Sequence, residues 1–148
     1  MSDLRELYQE VIIDHARNPR NFGNVAHLTH HAEGFNPLCG DQLSLELEIV
    51  DHKIKEAKFK GTGCAISTAS ASLMTQFLKD KTVVEAEKIL KEFIEMVTKH
   101  TNADYSHLDK LAILAGVHEY PARVKCATLA WQTLNAALNR EEKAVSTE

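Results

Sequence analysis

With 148 residues, 44% of them hydrophobic, the chain has the size and apolar content of one globular domain, residues 1–148, and falls outside the disordered class. Its formal net charge of -4 removes any general electrostatic basis for binding nucleic acid, so no nucleic-acid partner is expected. No apolar run approaches a membrane span, and Met1-Ser2-Asp3-Leu4-Arg5-Glu6 carries early acids in place of a signal-peptide core, so a cytoplasmic, reducing location without membrane contact is expected.

The first element is a helix, because Leu4, Leu7, Tyr8, Val11, Ile12 and His15 recur at helical spacing. It stops at the loop-forming cluster Asn18-Pro19-Arg20-Asn21-Phe22-Gly23. A faint strand is read over His27 to Gly34. Leu43-Ser44-Leu45-Glu46-Leu47-Glu48-Ile49 alternates strictly, the pattern of a strand with one buried face. Asp51-His52-Lys53 reads as a turn, and Ile54 to Lys60 as the second arm of a hairpin with Ala57 and Phe59 on one face.

Beyond Cys64 the period changes to that of a helix, with Ile66, Ala69, Ser70, Leu73 and Phe77 as one stripe. The run Ser67 to Ser72 is all small residues and suits close helix packing. A second helix is read from Val83 to Lys99, with Ala86, Ile89, Leu90, Phe93 and Val97 inward. Thr101 to His107 reads as a polar connector, and Leu108 to Leu114 as a short helix closed by Gly116. Pro121 suits the first turn of a last helix that buries Val124, Ala127, Trp131, Leu134 and Leu138. Residues 140–148 read as a frayed tail. Strands first and helices afterwards predict an α+β domain, a small antiparallel sheet of about three strands covered by helices.

Cys39, Cys64 and Cys126 are the only cysteines, and an odd count in a reducing compartment argues against a disulfide framework. Each stands at an edge between elements. Cys39 and Asp41 flank Gly40, a residue free to take turn conformations closed to others. In an extended segment, residues two apart point to one side, so a thiolate and a carboxylate can converge. Cys64 follows Gly61 and Gly63 where the small-residue helix begins, and a helix N-terminus favours thiolate over thiol. Cys126 lies near the start of the last helix, at the flank of its apolar stripe at about 100° per residue. Arg123 shares that side of the helix, placed to neutralise an anionic site or pair with Asp41.

Three thiolates and one carboxylate suit tetrahedral zinc or an iron–sulfur cluster better than magnesium or calcium. The alternative is three unrelated cysteines buried as small hydrophobes, and the Cys-x-x-Cys pairing of common zinc sites is absent. The deaminase His-x-Glu with Pro-Cys-x-x-Cys pattern is also missing, which argues against a hydrolytic zinc enzyme. Among the eight histidines, His30, His31, His52, His100 and His107 read as surface, His118 as a connector residue rather than a ligand, and His15 as a packing and hydrogen-bonding residue.

Asn36-Pro37-Leu38-Cys39-Gly40-Asp41, Gly61-Thr62-Gly63-Cys64-Ala65-Ile66-Ser67-Thr68-Ala69-Ser70-Ala71-Ser72 and Pro121-Ala122-Arg123-Val124-Lys125-Cys126 resemble the three signature segments of the IscU/NifU N-terminal family of iron–sulfur cluster assembly proteins. Asp14 to Gly23 resembles the family's N-terminal segment, and the likeness extends to about Leu138. Three departures from the scaffold branch point to the SufU-like branch. Lys125 stands where scaffold-type members carry histidine. Tyr120-Pro121-Ala122-Arg123-Val124 keeps only part of the Leu-Pro-Pro-Val-Lys chaperone-docking motif. The interval from Cys64 to Cys126 is longer, with the extra segment assigned to Val83–His107.

The resemblance implies zinc held by Cys39, Asp41, Cys64 and Cys126, with Gly40, Arg123 and Lys125 as supporting residues. It implies a sulfur-transfer partner of a pyridoxal-phosphate cysteine desulfurase of SufS type, feeding downstream cluster-assembly proteins, rather than a stand-alone enzyme. Cys39, in a loop beside Gly40, is the expected sulfur acceptor, leaving the metal while a desulfurase histidine takes its place. Asp41 would be the labile ligand and Cys64 and Cys126 the anchors. The alternative within the family is a scaffold that assembles a [2Fe–2S] cluster, or binds iron, on the same ligands.

Overall fold

The computed structural model describes residues 2–99, 104–140 and 144–147. Helix α1 covers Ser2–Arg17, and strand β1 covers His30–Asn36. The alternating segment forms β2, Asp41–Val50, and its partner β3 is Lys53–Thr62. Helix α2 spans Ala65–Leu78, and α3 spans Val83–Thr98 behind a Thr82/Glu85 capping box. A 3-10 helix over Ser106–Glu119 precedes the last helix, α4, Pro121–Leu138.

β1, β2 and β3 pair antiparallel as expected, joined at Asp51-His52 by a two-residue turn whose φ angles of 52° and 65° match a tight hairpin. The sheet has four strands, not three. Val145–Ser146 forms β4 and pairs parallel to Gly34 and Phe35, giving the order β3-β2-β1-β4. Residues 144–147 are therefore held by an open strand edge, and reading the tail as frayed did not anticipate it. The other edge is covered too: Asn21 and Gly23 bond the Phe59 backbone, and Asp80 and Lys81 bond that of Ile54.

The short helix expected at Leu108–Leu114 is a longer 3-10 helix that runs through Gly116 and kinks at Asp109. Ser106 and His107 belong to it rather than to a connector. Residues 100–103, with His100 and most of the remaining connector, lie outside the described residues.

One face of the sheet is buried by helices. Leu43, Leu45 and Leu47 of β2 point inward with Ile54, Ala57 and Phe59 of β3. Trp131 of α4 stacks on Phe93 of α3 at 4.4 Å between ring centroids. α4 lies very close to β1 because Gly34 has no side chain; a Cβ there would sit 2.2 Å from Thr133 Oγ1. The small residues of α2 seat it equally close to its neighbours. Ser70 Oγ donates to the Ala127 carbonyl at 2.6 Å and accepts the Trp131 indole N–H at 3.2 Å. These contacts fix α4 against the sheet and α2, and so fix where Cys126 falls. Among the described residues, no helix is long and apolar enough to cross a membrane.

Candidate metal centre

The site forms where three element junctions meet. The β1–β2 hairpin closes through Pro37-Leu38-Cys39-Gly40, with Asn36 paired opposite Asp41. Gly40 takes φ +72°, which a glycine adopts without strain. Cys39 therefore approaches Asp41 by way of a turn, not along an extended strand. Asp41 stands in phase with Leu43, Leu45 and Leu47, so its carboxylate points inward and is wholly buried. A buried carboxylate needs partners. The Cys64 backbone N–H donates to its Oδ1 at 2.8 Å, and the Asn36 amide donates to its Oδ2 at 3.3 Å.

Cys64 is the N-cap of α2. Its Sγ accepts the Ser67 N–H at 3.4 Å and lies 4.0 Å from Asp41 Oδ2. The close approach of this junction to Asp41 depends on Gly63, where a Cβ would fall 2.6 Å from Asp41 Oδ1. Cys126, the sixth residue of α4, is wholly buried, deeper than the flank position its helical phase suggested. Its Sγ lies 3.4 Å from Cys39 Sγ and 3.6 Å from Asn36 Nδ2. Cys39 itself is half-buried.

Ligand atoms of Cys39, Asp41 and Cys126 lie within 4.8 Å of one another. Cys64 stands just outside that trio and joins it through Asp41. Burial, then hydrogen bonding with Cys39 and Cys64, pushes the Cys126 thiol well above its ordinary value. A thiol raised in this way holds its proton until a cation displaces it. The donor set fits a thiophilic metal. Two sulfurs and one carboxylate oxygen converge, with the Cys64 sulfur beside Asp41, a poor match for hard cations that require oxygen ligands.

Arg123 is exposed and does not pair with Asp41, whose acceptor positions face Asn36 and Cys64 inside the fold. Its guanidinium is raised above its ordinary value by the Cys126 thiol first, then by the charge on Cys64. Lys125 is half-buried, and its carbonyl accepts from Thr128 Oγ1. Asn36 was missed by the sequence reading. It sits in the inward phase of β1 with Ala32 and Gly34, but the faint pattern of that strand left the phase undefined.

No histidine joins the group among the described residues. His15 is buried and hydrogen-bonds Ser72 Oγ at 2.7 Å, as its packing role predicts. His118 Nδ1 bonds the Ala115 carbonyl, and His107 pairs with Glu92. His31 and His52 are exposed, whereas His30 is half-buried.

A helix-covered sheet that gathers three cysteines and an aspartate at one end defines an α+β protein with a thiol-rich metal-binding centre. The NifU-like N-terminal domain family matches residues 7–127, and the chain belongs to that family of iron–sulfur cluster assembly proteins. It is 40% identical over 141 residues to the zinc-dependent sulfurtransferase SufU of Bacillus subtilis, covering 95% of both chains. It is 38% identical over 144 residues to the iron–sulfur cluster assembly scaffold protein IscU of Streptococcus pyogenes, covering 97% of this chain and 90% of that one. The crystal structure of a putative iron–sulfur cluster assembly scaffold protein for the SUF system from Fervidobacterium islandicum superposes with a TM-score of 0.83 at 34% identity, covering 90% of this chain and 97% of that chain.

Proposed function

We propose that this protein accepts sulfur from a pyridoxal-phosphate cysteine desulfurase of SufS type and passes it on for iron–sulfur cluster assembly, with zinc held by Cys39, Asp41, Cys64 and Cys126. The observation that carries the reading is the inequality of the thiols. Cys39 is half-exposed in a hairpin turn, and its Sγ lies 3.4 Å from that of the wholly buried Cys126. The likeness to a zinc-dependent sulfurtransferase along 95% of the chain supports it.

Bound zinc would lower the pKa of the thiols and hold them as thiolates. The Cys39 thiolate attacks the outer sulfur of the desulfurase persulfide. The sulfur–sulfur bond breaks, its electron pair leaves with the desulfurase cysteine, and Cys39 carries the persulfide. Cys64, capping α2, and Cys126, fixed in α4, keep their places during the exchange. Arg123, exposed beside Cys126, offers positive charge to the incoming anion.

The test combines metal analysis of protein purified without added iron with a desulfurase assay. Stoichiometric zinc, no visible colour, and no stimulation by Cys39→Ser, Cys64→Ser or Cys126→Ser are expected. Full stimulation by Cys39→Ser refutes the acceptor assignment. A stable brown cluster after anaerobic reconstitution, handed to apo-acceptors, refutes transfer in favour of scaffolding. Unfolding on zinc removal, with desulfurase stimulation unaffected by Cys39→Ser, makes the metal structural.

A further inference from the structure

We propose that Asn36 is a positioning residue that clamps two of the ligands, Asp41 and Cys126, and thereby leaves Cys39 as the thiol free to react. The inference rests on the zinc reading above. Asn36 is wholly buried at the inner end of β1. Its Nδ2 donates to Asp41 Oδ2 at 3.3 Å and faces Cys126 Sγ at 3.6 Å. A carboxamide carries two N–H donors in one planar fork. Here both are directed at ligands from different elements, one at the start of β2 and one within α4.

The other end of the amide shows what the orientation is for. Among the described residues, Asn36 Oδ1 is buried with no hydrogen-bond partner. Buried polar atoms are rarely left so. Turning the amide over would not help, because Oδ1 would then face a carboxylate oxygen and a sulfur, both acceptors once ionised. The observed orientation therefore turns the donor end of the amide toward both ligand atoms, the Asp41 oxygen and the Cys126 sulfur.

The remaining donors complete the pattern. Cys64 Sγ accepts the Ser67 N–H. Among the described residues, Cys39 Sγ accepts no N–H, and its hydrogen-bond partner is the Cys126 thiol. A hydrogen bond to a thiolate draws charge from sulfur, steadies it as a ligand and blunts it as a nucleophile. Three chemically identical thiols are thus sorted by their donors into two that stay and one that moves.

The test compares wild type with Asn36→Ala, and with Asn36→Ser should the alanine variant not fold. Zinc release to a chromophoric chelator should rise about tenfold or more. In cobalt-substituted protein, the thiolate-to-metal charge-transfer band should shift. Timed iodoacetamide labelling of the zinc-loaded protein should modify Cys39 first in wild type, with Cys126 gaining reactivity in the variant. A lower melting temperature with unchanged zinc release, band position and labelling order would reduce Asn36 to a packing residue and overturn the proposal. Wild type that binds neither zinc nor cobalt would instead sink the zinc reading, and this inference with it.

Discussion

Gly63→Ala is the sharpest probe of how the backbone shapes this site. Gly63 is not in the left-handed region, so alanine meets no backbone penalty there, and the effect is steric. The new Cβ would lie 2.6 Å from Asp41 Oδ1, whereas ordinary contact begins near 3.4 Å. The carboxylate must withdraw by about 0.8 Å, which can stretch the 2.8 Å bond from the Cys64 N–H to about 3.6 Å, too long to count as a hydrogen bond. A hydrogen bond to a charged acceptor contributes about 2 kcal/mol, or roughly 30-fold in zinc affinity if Asp41 is a ligand. Chelator competition measures the affinity. The double variant with Asp41→Ala isolates the cause: with the carboxylate gone, Gly63→Ala should add little. Wild-type zinc affinity in Gly63→Ala, or fully additive losses in the double variant, would refute the reasoning.

Other perturbations test the supports of the site. Ser70→Ala removes the acceptor of the buried Trp131 N–H and the bond to Ala127, and should cost about 2 kcal/mol, roughly 6 °C in Tm by thermal melt. Gly34→Ala would set a Cβ 2.2 Å from Thr133 Oγ1 and should destabilise by about 1–3 kcal/mol, with Thr133→Ala restoring much of the loss in denaturant titrations. Stability should fall as pH is lowered from 7.5 to 5.5. His15 and His30 both have folded pKa values below 6.5, mainly through burial, so the folded state resists their protonation and its stability is lost as pH falls below 6.5. Around His15, Asp14 opposes this shift, Arg20 and Lys110 add to it, and Ser72 supplies the hydrogen bond; His30 feels Arg140. The lowered carboxylates Asp14, Glu85 and Asp104 titrate below about 4.5 and stay outside that window. His15→Gln should flatten part of the slope in urea midpoints.

Much of this was legible in residue order. The alternation of Leu43 to Ile49 set the phase of β2, and the small-residue run after Cys64 set a close-packing helix. Pro121 marked the start of α4. The three cysteine segments marked the thiols that the fold brings to one end of the sheet, Cys39 and Cys126 with Asp41 and Cys64 beside them. Three features escaped. β4 is two residues long and has no pattern of its own; it exists because β1 offers an open edge. Asn36 depends on the register of β1 against β2, which weak alternation does not specify. Of the two roles open to Arg123, pairing with Asp41 is ruled out because helical phase gives a direction but no depth, and Asp41 is buried where Arg123 is not.

The sequence alone determined which atoms are available, three thiols and a carboxylate, each at or near the start of an element or in a turn. Local rules suffice for that, since spacing and turn chemistry act over a few residues. Tertiary structure decided how unequal those atoms are. Close packing at Gly34 and Ser70 seats Cys126 in the interior, Gly63 admits Asp41 to the Cys64 N–H, and Asn36 bridges β2 to α4, while the hairpin turn keeps Cys39 near the surface. Burial and hydrogen bonding across 23 to 90 positions of chain depend on packing between distant segments, which no local pattern encodes.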